Sequence, residues 1–137
     1  MEGKETRILL LTHGGWGMHL VKAAEMILGK IECCDEIPLK PEYTFQDYCE
    51  LIDAYTEKVS QNSLVISDLF GGSTTNAALK VCYPKQIRVL TGLSAPLLIE
   101  ACSQLQFQHE FNMEQLCKVG HESCHDVIEE MKRKMGN

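Results

Sequence analysis

The sequence predicts an α/β fold, a doubly wound, mainly parallel four-stranded sheet with helices on both faces. Short apolar runs alternate with amphipathic stretches along the whole chain. That alternation calls for a parallel sheet, because each crossover helix must bury its apolar stripe against the strands it connects. Two of the runs, Arg7-Ile8-Leu9-Leu10-Leu11-Thr12 and Ser63-Leu64-Val65-Ile66-Ser67, end in polar groups, His13 and Asp68. Each is followed by glycine and a helix pattern, Gly14-Gly15-Trp16-Gly17 in one case and Leu69-Phe70-Gly71-Gly72-Ser73 in the other. Chemistry in open α/β sheets gathers beyond the carboxyl ends of the strands, so an imidazole and a carboxylate are expected at one edge.

The elements follow in order. After the strand ending at His13, the stretch Trp16 to Leu28 places Leu20, Ala24, Ile27 and Leu28 on one face, and Gly29 closes the helix. Ile31 to Ile37 reads as a second strand, weakened by Glu32, Asp35 and Glu36 and suited to a sheet edge. Pro38 and Pro41 then force an extended loop. Thr44 with Asp47 three residues on resembles a capping box, and Tyr48, Leu51, Ile52, Tyr55 and Val59 recur at helical spacing. Ser63 to Asp68 is the most apolar run, hence a central strand. Gly71-Gly72-Ser73 opens a helix through Ala77, Ala78 and Val81 that stops at Pro84. Gln86 to Thr91 makes the fourth strand, and Ser94 caps a helix with Pro96 in its first turn. Asn112 caps a final helix with a core stripe of Leu116, Gly120, Cys124, Val127, Ile128 and Met131.

The 137 residues suit one domain, 1–137, and the 45% hydrophobic content fills one core. A net charge of −6 with no basic cluster argues against nucleic acid. No apolar run approaches the roughly 18 residues of a span, and Met1-Glu2-Gly3-Lys4-Glu5 does not read as a signal peptide. A cytoplasmic protein without direct membrane insertion is expected. Seven cysteines, Cys33, Cys34, Cys49, Cys82, Cys102, Cys117 and Cys124, include no Cys-x-x-Cys pair and read as reduced, packed thiols.

A neutral imidazole is a nucleophile at one nitrogen only while the other keeps its proton. A carboxylate accepting that N–H fixes the tautomer, which is the role assigned to Asp68 beside His13. A phosphoryl group on the ring needs donors. The amides after Gly14 and Gly15, those of Gly71, Gly72 and Ser73, and the Ser73 hydroxyl would supply them at two helix starts. There is no Gly-x-x-x-x-Gly-Lys-Ser/Thr loop and no carboxylate cluster for Mg²⁺, so no metal and no cofactor is expected, and phosphate would arrive on another protein.

Thr12 to Leu20 with Ala23 to Gly29, Asp68 to Ser73 with Asn76-Ala77-Ala78, and Thr91 to Leu98 form three ordered motifs. Together they resemble the mannose-type enzyme IIA family of the bacterial sugar phosphotransferase system. The resemblance implies that His13 accepts phosphate from the phosphocarrier HPr and passes it to a IIB component of a sugar transporter. It also implies Asp68 as partner, Ser73 as a phosphate-site hydroxyl, a doubly wound fold and a homodimer. Thr74 stands where the family commonly has proline, and Ser94 where it commonly has asparagine. The tail reads as helix through Glu129, Glu130 and Met131, where some relatives add an antiparallel strand.

Rival readings use the same residues differently. A phosphorylation-dependent regulatory module, or the phosphodonor subunit of a dihydroxyacetone kinase, would share His13 chemistry. A serine hydrolase from Ser73, His13 and Asp68 lacks the Gly-x-Ser-x-Gly elbow. His121-Glu122-Ser123-Cys124-His125 matches the zinc pattern His-Glu-x-x-His, and its histidines would share a helix face beside the solvent stripe of Glu114, Lys118 and Lys132.

Overall fold

In the computed structural model, which describes residues 3–136, four parallel strands stand in the order β2-β1-β3-β4. Here β1 is Ile8–His13, β2 Cys34–Leu39, β3 Leu64–Ser67 and β4 Arg88–Thr91. Leucine and isoleucine fill β1 and β3 because both are central and covered on both faces. Alternation divides the core in two. Ile8, Leu10, Leu64 and Ile66 face α1 (Gly17–Leu28) and α4 (Ala95–Gln108), with α5 (Met113–His121) beside α4. Leu9, Leu11 and Val65 face α2 (Phe45–Thr56) and α3 (Ser73–Lys85). Each fully buried Leu or Ile contributes roughly 1.5–3 kcal/mol of transfer free energy, so these alternating strand residues carry much of the fold.

The chain leaves β1 toward β2, then crosses back to lay β3 on the other side of β1. The winding therefore reverses between β1 and β3, and the crevice beyond their carboxyl ends is the fold's natural ligand position.

Local structure departs from expectation in several places, and β2 runs over Cys34–Leu39 where Ile31 to Ile37 was expected. The buried stripe of α1 is Gly17, Val21 and Ala24, while Ile27 is 70% exposed on the flank. Pro38 lies inside β2, opposite Thr12, instead of in a loop. An edge strand tolerates it because one side needs no ladder donor. The proline of α3 sits in the last turn, and Gln86 ends the helix in the left-handed region at φ 59°. The tail is two helices, α5 and α6 (Val127–Met135). Ser123 donates to the Gly120 carbonyl at 2.9 Å, and Asp126 caps a new start by accepting from the Glu129 amide at 3.1 Å. These local bonds compete with continued helix, and the expected stripe is lost. Leu116 is fully buried, but Val127, Ile128 and Met131 are exposed. No helix among the described residues is long and apolar enough to cross a membrane.

Candidate functional site

His13 and Asp68 meet in the crevice, as their positions at two strand ends foretell. The ring Nδ1 lies 3.0 Å and 3.2 Å from the two carboxylate oxygens, and the His13 backbone amide donates to Oδ2 at 2.6 Å. The backbone bond fixes the carboxylate at the base of the ring. The Asp68 side chain is 3% exposed and that of His13 is 44% exposed. With Nδ1 engaged by the buried acid, Nε2 has no protein partner among the described residues.

Burial acts to raise the Asp68 carboxyl, but donation by the His13 amide, the His13 ring and the Thr74 hydroxyl outweighs it. The group is held below the usual carboxylate range. It is an anion under the ring at neutral pH.

Thr74, marked in the sequence only as a departure from the family's common proline, takes part in the site. Its fully buried hydroxyl donates to Asp68 Oδ1 at 2.7 Å. Thr74, Ala77, Ala78 and Val81 form one buried stripe of α3, and a hydroxyl on such a stripe must find a partner.

The donors expected from two helix starts come mainly from one. The Gly14 amide donates to the Leu39 carbonyl at 3.0 Å. Glu36, on the edge strand, reaches over the start of α1, where its carboxylate accepts from Gly17 at 2.6 Å and Met18 at 3.0 Å and bonds the Thr12 hydroxyl. That leaves the Gly15 and Trp16 amides on this side. At the other start, the Gly72 amide donates to Leu69 at 3.2 Å within the turn. Gly71 holds a left-handed φ of 81°, which lets the chain reverse out of β3. No side chain caps α3, so its first-turn amides at Ser73 and beyond remain available, and Ser73 is exposed. Ser73, His13 and Gly14 line a hollow of about 500 Å³ whose other wall is Leu39, Tyr43 and Phe45.

Neither rival constellation assembles. No hydrogen bond joins Ser73 to the His13 ring among the described residues, so the serine is not activated as a hydrolase nucleophile would be. The His-Glu-x-x-His segment is not one helix, because α5 stops at His121 and residues 122–126 are not helical. His125 Nδ1 instead pairs with Glu130 at 2.6 Å. His19 is exposed, and His109 ends α4 at φ 62°.

A family model described as EIIA-man, PTS system fructose IIA component, matches residues 7–115. The PTS system mannose-specific EIIAB component of Escherichia coli (strain K12) is 32% identical over 96 residues, 68% of this chain and 30% of that protein. This chain thus spans under a third of that relative's length. The PTS system sorbose-specific EIIA component of Lacticaseibacillus casei is 27% identical over 95 residues, 68% of this chain and 69% of that protein. Among solved structures, the PTS IIA protein associated with the fucose utilization operon from Streptococcus pneumoniae superposes with a TM-score of 0.82. Its sequence identity is 23%, and the match covers 96% of this chain and 99% of that one, a likeness of fold.

Proposed function

The chain belongs to the EIIA-man family of sugar phosphotransferase components, and from that premise we propose that it is a phosphohistidine carrier acting through His13. Phosphate arrives from HPr and leaves for a IIB component of a membrane sugar transporter. The observation that carries this reading is the pairing of His13 Nδ1 with a buried, ionised Asp68, which turns Nε2 outward.

The lone pair of Nε2 attacks the phosphorus of the donor's phosphohistidine in line. The donor's N–P bond breaks, and its electron pair returns to the donor ring. The His13 proton stays on Nδ1. As Nε2 takes phosphorus the ring becomes positive, and the Asp68 carboxylate lies against the charge that develops. The Ser73 hydroxyl and the first-turn amides of α3, with the Gly15 and Trp16 amides opposite, receive the phosphoryl oxygens. Gly71 and Gly72 keep that approach open. Transfer to the IIB component is the same step reversed, which the exposed ring permits. Trp16, Leu69 and Phe70 are exposed on the turns that flank the ring and supply an apolar rim for an incoming protein.

The same reading has residues 1–137 work as one IIA domain in the cytoplasm, as a homodimer, with no cofactor of its own. Incubation with phosphoenolpyruvate, enzyme I and HPr tests it. One acid-labile, base-stable phosphate is expected at His13 and none in His13→Ala, which stays folded. A phosphate that persists in His13→Ala would overturn the assignment. Onward transfer to a IIB protein separates a transport component from a regulatory module or a dihydroxyacetone kinase phosphodonor.

A further inference from the structure

We propose that Cys33, Cys34 and Cys102 form a binding site for a thiophilic metal ion, zinc or copper(I), at the pole of the sheet opposite His13. The three Sγ atoms all lie within 4.8 Å of one another, and those of Cys34 and Cys102 are 3.7 Å apart. A Zn–S bond of about 2.3 Å implies sulfur–sulfur edges of about 3.8 Å in a tetrahedral site and about 4.0 Å in a trigonal one. The Cys34–Cys102 edge matches this spacing, the other two edges are within 4.8 Å, and all three cysteines are free.

The fold builds the cluster from two elements. Neighbouring side chains on a strand point to opposite faces, yet Cys33 sits in a bend just before β2, which brings its sulfur to the same side as that of Cys34. Cys102 reaches them from α4, across the core they share. The strand expected over Ile31 to Ile37 would have pointed the two sulfurs apart, and the bend at Cys33 is what brings them together.

Entry also fits. Cys33 and Cys102 line a cavity of about 300 Å³, with Arg7, Lys30 and Glu32 around it. Three thiolates complete the trigonal set that suits copper(I), whereas zinc would take a water from the cavity as its fourth ligand. The thiols release their protons to solvent on coordination. Uptake strengthens with rising pH.

Cys34 pairs with Ile8, at the start of the strand that ends in His13, which puts roughly 17 Å of strand between the two sites. Metal uptake is therefore separable from phosphoryl transfer. The reduced protein, kept free of oxygen, is titrated with Zn²⁺ and separately with Cu⁺ against a chromophoric chelator, and bound metal is counted by native mass spectrometry. A His121→Ala, His125→Ala background removes adventitious binding by the tail. One equivalent and a raised Tm are expected, both lost in Cys33→Ser and Cys102→Ser and both kept in Cys117→Ser, Cys124→Ser. Cys33 is partly exposed, so Cys33→Ser reports even where a buried serine at 102 impairs folding, with circular dichroism as the check. Failure of both ions to compete with the chelator, or an equivalent that persists in folded Cys33→Ser, would overturn the site.

Discussion

Asp68 receives hydrogen bonds from the His13 amide, the His13 ring and the Thr74 hydroxyl, so its contribution divides into separable parts. Asp68→Asn keeps the acceptor ring but removes the charge that opposes the imidazolium, and phosphorylation of His13 should slow by about tenfold or more in rapid-quench kinetics. Thr74→Val keeps shape and leaves one buried carboxylate oxygen short of a donor, costing about 1–3 kcal/mol by urea unfolding. The sign with pH follows. Because the Asp68 carboxyl is held below its unfolded value of about 3.9, its stabilisation is present above that value and lost as pH falls through the lower folded one. Removing a donor moves the folded value back up, so Thr74→Val should begin acid unfolding at higher pH, and an unchanged midpoint would count against the Thr74 bond. His13 and Asp68 were legible because a polar residue ending an apolar strand has one place to go. Thr74 was not, since a threonine in a helix's first turn looks ordinary until its place on the Ala77, Ala78 and Val81 stripe is weighed.

Among the elements, the edge strand was legible but the work of its acids was not. Asp35 and Glu36 looked like weaknesses in β2, yet Asp35 bonds Arg7 at 2.5 Å and Tyr55 at 2.5 Å, and Glu36 caps the start of α1. Such partners lie 18 to 28 residues away, beyond any local pattern. Glu36→Ala should destabilise the fold by about 1–3 kcal/mol through the orphaned Gly17 and Met18 amides, measured by denaturant unfolding. Gly17 is there for a related reason. A Cβ would stand 2.7 Å from the Glu36 carboxylate and 3.2 Å from Leu10, so Gly17→Ala should cost about 1–3 kcal/mol as the cap is pushed aside. Capping pairs at Thr44–Asp47, Ser94 and Asn112 were readable because both partners are close in sequence. The break at 122–126 was missed because apolar spacing continues across it while Asp126 restarts the chain.

For the whole molecule, parallel winding and the reversal between β1 and β3 bring two distant sequence positions to one crevice. The alternation of elements made that architecture readable without any long-range contact being known. The tail lies outside that logic, because α6 buries none of its residues. A chain ending at residue 123 should therefore unfold within about 0.5 kcal/mol of the full one, and a larger loss would mean that α6 packs where no burial is seen. In the proposed relay, Asp68 holds Nδ1 of His13 so that phosphorus goes to Nε2. Nitrogen-15 NMR of the HPr-phosphorylated, imidazole-labelled protein tests it most directly. A phosphorus-coupled Nε2 and a protonated Nδ1 are expected. Phosphorus on Nδ1, or a His13 ring left unmodified, would contradict it.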